Sequence, residues 1–370
     1  MRFQGFTIPW TEIEIGKAFQ VTRGYVLPAT VVRQDASEEY IYPVYSSQTK
    51  DNGLMGYYND YLYENAITWT TDGANAGTVH YRSGKFYCTN VCGVLLSDEG
   101  NANRCVAEIL GSVSKKYVSY VGNPKLMNNV MSEIKIYVPT IAEQKKIDDF
   151  ISVIDHRIEK QHELIEYLKK YKRGLNIRLL SGISMSYSKR LGDVCSIIGG
   201  GTPDTTTAKF WDGGINWFTP SEIGKTKYVV SSVRSISYDG MLKSSAKLLP
   251  QNTVLLTTRA TLGEMSILHA EATTNQGFQS LIPSNELLAE YVYYLQVIIK
   301  PWCEKYASGN TFREISKSAL SNCVIPVPDI SIQNKIVRVL SGIDQHIERE
   351  NDILDKLREQ KKALLQQLFI

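Results

Sequence analysis

Apolar positions along this chain are most regular in two stretches. In the first, residues recur at alternating spacings of four and three: Ile147, Ile151, Ile154, Ile158, Gln161, Ile165, Leu168, Lys172, Leu175 and Leu179. The second runs Ile336, Leu340, Ile343, Ile347, Glu350, Leu354, Leu357, Lys361, Leu364 and Leu368. A 3.5-residue period held without interruption predicts the a/d seam of a coiled coil. Both seams are broken by polar residues at the same two places, Gln161 with Glu350 and Lys172 with Lys361. Polar residues in a seam lower stability but specify register and partner. Pro139 and Pro328 are expected in the first helical turn, where proline is tolerated. Gly174 and Gly182 should weaken the end of the first helix.

The two stretches are copies of each other. Residues 138–179 (VPTIAEQKKIDDFISVIDHRIEK…) and 327–368 (VPDISIQNKIVRVLSGIDQHIER…) match without gaps at about 15 of 42 positions, at an offset of 189. The regions before them match more weakly but in the same order. ITWTTDGANAG (67–77) lies beside VLLTTRATLG (254–263), Thr89-Asn90 beside Thr274-Asn275, and Gly122-Asn123 beside Gly309-Asn310. The chain therefore reads as a tandem duplication: globular 1–137, helix and spacer 138–189, globular 190–326, helix 327–370. Forty helical residues span roughly 60 Å. An antiparallel pair lets the second globular region leave one helix and enter the other at the same end, which gives a pseudo-twofold dumbbell.

Strand-like runs at 67–71, 91–96, 254–258 and 278–282 are flanked by turn signals such as Asp72-Gly73 and Gly199-Gly200-Gly201. Short helices are expected at 106–112 and 286–299. The fold class is α+β: two mixed α/β domains joined by two long helices that form an antiparallel coiled coil.

Composition narrows the function. With 41 basic and 38 acidic residues in 370, the net charge is only +3, so bulk charge gives no argument for nucleic acid. No run of ~18 apolar residues is present, so no transmembrane helix is expected, and the start lacks a secretory pattern. Six cysteines read as reduced thiols of a cytoplasmic protein. Cys88 and Cys92 lack the Cys/His partners of a zinc site.

Catalytic signatures are missing. GGGTP at 199–203 has no P-loop lysine, and GKT at 224–226 has Thr219 where the loop glycine should be. No GxGxxG follows a strand, and no GxSxG or HExxH occurs. Asn123-Pro124-Lys125 lacks the second proline and aromatic of an adenine-methylating motif. What remains is polar side chains on turns: Thr71, Asp72 and Asn75; their counterparts Thr258, Arg259 and Thr261; then Asn90, Asn275, Gln276 and Arg313. Such forks and amides match base-edge donors and acceptors, and lysines such as Lys209 could neutralise phosphates. Asn and Thr at turns also satisfy local backbone groups.

Taken together, the duplicated VPxIxxQxKI…ID…IE helices, YPVYSSQ (42–48), the TWTTDGANAG and LLTTRATLG turns and LGDVCSIIGGGTP (191–203) make the chain resemble the specificity subunits of type I restriction–modification systems. The resemblance covers essentially the whole length. It implies a non-catalytic subunit whose two target recognition domains each read half of a bipartite sequence in double-stranded DNA. It implies helices that set the gap and dock two methyltransferase subunits, with two motor-nuclease subunits beyond them. S-adenosylmethionine, ATP and magnesium would belong to those partners, and this chain would bind no cofactor, no metal and no membrane. The DNA-contact candidates are Thr71, Asp72, Asn75, Asn90, Lys209, Thr258, Arg259, Asn275, Gln276 and Arg313. The coiled-coil and partner candidates are Ile147, Ile154, Ile158, Leu168, Ile336, Ile343, Ile347 and Leu357. The globular segments carry 12 basic and 13 acidic residues in 1–137, and 12 and 11 in 190–326. Near-neutral recognition domains should bind DNA weakly without partners. A coiled-coil scaffold that binds only proteins is the alternative.

Overall fold

The computed structural model describes residues 2–47, 50–259, 261–309 and 313–369. Gln48, Ala260 and Asn310, which belong to sequence motifs noted above, lie outside the described residues. The chain forms two compact units, residues 1–162 with 352–370, and residues 163–351. The division cuts both long helices, because each half-helix packs on a globular body rather than standing apart as a separate segment.

In the first unit a six-stranded sheet runs in the order Gln20–Arg23, Cys92–Leu96, Tyr63–Thr70, Val79–Cys88, Tyr42–Tyr45, Leu54–Tyr58. All neighbours are antiparallel except Tyr42–Tyr45 against Val79–Cys88. The end of Tyr63–Thr70 is buried on both faces, from Ala66 to Thr70. Trp69 fills that interior, and its indole lies where a side chain at Gly93 would be: an added Cβ would come within 2.3 Å of the ring. Helix Arg104–Ser114 packs Val106, Ile109 and Leu110 into the same core as Trp69 and Leu95.

The second unit has a related topology. Its five-stranded sheet is ordered Cys195–Gly199, Gln279–Pro283, Val254–Leu256, Met265–Leu268, Tyr228–Val229. Here too one pair is parallel, Tyr228–Val229 against Met265–Leu268, and the others are antiparallel. A smaller sheet of Arg234–Ile236, Trp211–Phe218 and Thr273–Thr274 is added to this unit. Helices Ala289–Tyr294 and Gln296–Tyr306 occupy the segment expected to be one helix.

The long helices are Ile141–Ser181 and Ile330–Leu368. Every seam position named from the sequence is buried or half-buried. The first turns of each seam serve a globular core: Ile147 and Ile151 join Trp69 and Leu110, while Ile336 and Leu340 join Tyr291 and Val254. Within the first unit Leu365 and Phe369 pack on the core that holds Ile147, and Lys361 reaches Asp155. Within the second, Leu180 lies in the core that holds Ile336 and Leu340, and Lys172 reaches Asp344. In both units the two helical segments therefore run antiparallel.

The lysines that interrupt the seam are the register pins. Lys361 Nζ lies 2.8 Å from Asp155 and 2.7 Å from Glu108. Burial disfavours its charge, but the two carboxylates outweigh that and raise its pKa above the ordinary lysine value. Lys172 pairs with Asp344, whose other oxygen accepts a 2.6 Å hydrogen bond from the Tyr294 hydroxyl. Lys172 and Lys361 are repeat equivalents, and so are Asp155 and Asp344.

The prolines do not occupy the first turn. Both precede it: the helices begin at Ile141 and Ile330, and their first turns close on the carbonyls of Thr140 and Asp329, one residue after each proline. Gln144 Nε2 donates to the Pro139 carbonyl at 2.9 Å and to Asn101 at 3.2 Å, and its Oε1 accepts from Asn103. Gln333 Nε2 donates to the carbonyls of Pro328 and Glu286, both at 2.7 Å, and its Oε1 accepts from the Leu288 N–H. Each buried amide thus ties the start of a long helix to its globular body. The first helix continues through Gly174 and ends at Ser181, just before Gly182.

Gln333→Leu should destabilise the second unit by about 1–3 kcal/mol, the cost of an orphaned buried N–H, measured by urea unfolding of the full chain. Lys361→Met should cost about 1–2 kcal/mol, between exposed and fully buried pairs, whereas the exposed Lys356→Met should fall within about 0.5 kcal/mol of the parent. Burial, then Arg82 and Lys361, hold His80 neutral with a pKa of about 3. Its stabilising contribution is therefore intact above the ordinary histidine value of about 6.5 and is lost as pH falls toward 3. A His80→Gln variant should show a flatter loss of stability across that window.

Candidate nucleic-acid interface

In the first unit the turn after strand Tyr63–Thr70 is closed by Gly77 N–H donating to the Thr70 carbonyl at 2.9 Å, with Gly77 at φ +80°. Thr71 is buried; its N–H donates to the Val91 carbonyl at 2.9 Å, and its hydroxyl lies 2.7 Å from the Asp72 carboxylate and 3.1 Å from the Val91 carbonyl. This brings the 71–77 turn beside the turn that carries Asn90. Asn75 donates to the Ser47 carbonyl at 3.2 Å, and the Asn90 carbonyl accepts from Arg23. A third segment completes the cluster. Ser119 and Lys125 exchange two backbone hydrogen bonds of 2.8 and 2.9 Å, closing a five-residue hairpin. Its return strand is zipped to the turn by Gly73 N–H to Pro124 and Leu126 N–H to Thr71, and Lys125 Nζ stands 3.8 Å from Asp72.

The second unit builds the same three-part cluster. Thr258 is fully buried and donates its N–H to the Gly277 carbonyl at 2.8 Å. Asn275 Oδ1 accepts from Gly277 N–H, and the Thr202 hydroxyl donates to Gln276. Ser308 and Glu314 exchange backbone hydrogen bonds of 3.0 and 2.9 Å. Glu314 then accepts from Thr258 at 3.3 Å and pairs with Arg259 at 2.9 Å. Arg313, next in the chain, is exposed and donates to the Glu304 carbonyl.

Thr258, Arg259, Asn275 and Gln276 are therefore assembled at one place, as are Thr71, Asp72, Asn75 and Asn90 in the first unit. Thr71 and Thr258 face inward and hold the frame, while Gln276, Arg259 and Arg313 are exposed. Lys209 stands on the separate turn Ala208–Phe210, ahead of strand Trp211–Phe218. The triple glycine has a packing role: a Cβ at Gly200 would sit 1.9 Å from the Asn275 carbonyl. Sequence reasoning missed Ser119, Lys125, Ser308 and Glu314, although both pairs keep the 189-residue offset of the helices.

All six cysteines are buried and free, and burial raises their thiols, Cys92 to about 11. No group of three or more metal-ligating side chains occurs among the described residues. Nor is any helix among them long and apolar enough to cross a membrane. The surface presents amides, guanidinium groups and lysines, exposed or half-buried, on hydrogen-bonded turns, suited to hydrogen-bonded recognition.

Comparison with known proteins agrees with this architecture. The family described as type I restriction modification DNA specificity domain matches residues 8–170 and 186–359. The specificity subunit of the MjaIX type I restriction enzyme from Methanocaldococcus jannaschii is 35% identical over 176 residues, covering 46% of this chain and 41% of the relative. That of EcoR124I/EcoR124II from Escherichia coli is 29% identical over 194 residues, covering 48% and 47%. The matches span about half or less of these relatives' length. In fold, the type I S subunit of M. genitalium aligns over 100% of this chain and 97% of its own, at TM-score 0.56 and 17% identity. A chain from a structure describing assembly of the type I R-M system aligns over 98% of both, at TM-score 0.61 and 17% identity. With both halves of the duplication matched, the chain belongs to the type I restriction modification DNA specificity domain family.

Proposed function

We propose that this chain is the sequence-reading subunit of a type I restriction–modification complex in the cytoplasm. Each unit reads one half of a bipartite target in double-stranded DNA. The coiled coil sets the gap and docks two methyltransferase subunits, and two motor-nuclease subunits complete the assembly. The reactions and their S-adenosylmethionine, ATP and magnesium belong to those partners, while this chain is non-catalytic.

One observation carries the reading. The same three-part cluster is built twice on related sheets, yet the side chains on it differ. Asp72 and Asn75 stand in one unit where Arg259 and Thr261 stand in the other. Two related frames with different hydrogen-bonding groups suit two different half-sites. The near-neutral charge of each globular segment supports a division of labour, since phosphate neutralisation dominates DNA affinity. Much of that charge then resides in the partners.

Mapping methylated adenines in cells with and without the gene tests this. Loss of a bipartite motif on deletion is expected; an unchanged methylome would leave only a protein-binding scaffold. Gln276→Ala should relax the half-site read by the second unit alone, with discrimination falling by about 1–3 kcal/mol at one position. A change in both halves would contradict the modular reading.

A further inference from the structure

We infer that the hairpin tip 120–124 is a specificity-determining element of the first unit, contacting DNA bases through Tyr120 and Val121. This rests on the DNA-reading role proposed above and names an element that role does not specify. Tyr120 is 69% and Val121 92% exposed, at the tip of the hairpin closed by Ser119 and Lys125. Gly122 turns the tip at φ +75°, with nothing within 4 Å of where its Cβ would be. Adjacent apolar side chains are held out in solvent on a segment whose base is fixed.

The fixing is specific. The hairpin is bonded to the Thr71 and Gly73 backbone, so its tip stands beside the turn that presents Asp72 and Asn75. Lys115 and Lys116, both exposed, lie on the turn Lys115–Tyr117 just before it, and the preceding Ser114 hydroxyl donates to the Gly77 carbonyl at 2.7 Å. Apolar tips flanked by lysines suit DNA: the lysines meet phosphates, while apolar groups touch thymine methyls or enter an opened base step.

The second unit supplies the independent observation. Its Ser308–Glu314 closure is the repeat equivalent of Ser119–Lys125, at the same offset of 189. The ion pair that ties hairpin to turn is kept but reversed in sign: Asp72 with Lys125 in one unit, Arg259 with Glu314 in the other. Between these closures the Gly-Asn pair is shared but shifted by two positions, and the residues around it differ: YVGNP at 120–124 and GNTFR at 309–313. A frame held constant around a changed tip is the arrangement expected of a reading element.

The test uses the full chain in cells where it is the sole specificity gene. Tyr120→Ala with Val121→Ser should degrade one or two positions of a single half-site and leave the other half intact. An unchanged motif overturns the inference. If the variant abolishes methylation, a photo-reactive benzoylphenylalanine at position 120 decides instead, in the chain assembled with its methyltransferase on a duplex of the parental motif. Cross-linking to DNA supports the inference, and cross-linking only to protein, or none, overturns it. Failure of the DNA-reading role would appear separately, as a parental methylome that does not change when the gene is deleted.

Discussion

The constraint on which the structure depends is the polar interruption of an otherwise apolar helix seam. Leucine and isoleucine seams slide at little cost, because one apolar contact replaces another. A lysine in the seam permits only registers that bring it to a carboxylate. Lys361 meets Asp155 and Glu108 in the first unit, and Lys172 meets Asp344 in the second. Any other register would leave these charges partly buried and unpaired, at a cost far above that of a displaced methylene.

From that register the rest of each unit is positioned. Gln144 and Gln333 bind the helix starts to loops of the globular bodies. The helices share cores with the sheets, so the sheets cannot tilt without breaking those cores. The sheets in turn carry the turns and hairpins. The proposed reading of base edges needs such support, since a hydrogen bond to a base edge is sensitive to displacements well below the length of a side chain. The reversed ion pairs fit this logic: opposite charges stand at the same two places in each unit, with the signs exchanged.

The weak overall charge has a physical place in the same scheme. For the proposed DNA-reading role, a strongly basic chain would bind any DNA tightly, and sequence discrimination would compete with that background. Amides and guanidinium groups on a near-neutral surface contribute to discrimination more than to bulk affinity.

The duplication, the seam, its polar breaks and the turn residues were legible in the sequence, because each leaves a periodic or offset-preserving trace. The positions of Lys172 and Lys361 were legible, but not their partners, since a carboxylate 172 or 206 residues away is chosen by packing. The hairpins were hidden for the same reason. Ser119 and Lys125 act through backbone hydrogen bonds, which impose almost no side-chain signature. Thr71 and Thr258 read as candidate contacts, yet both are buried, with hydroxyls engaged by Asp72 and the Val91 carbonyl in one unit and by the Glu314 carboxylate in the other. The prolines read as first-turn residues, yet the helices close on the Thr140 and Asp329 carbonyls that follow them, and the proline carbonyls accept from the Gln144 and Gln333 amides. Local propensity and period thus determined which elements form and that they form twice. Long-range pairing of buried polar groups, which no local pattern encodes, decided which side chains face outward.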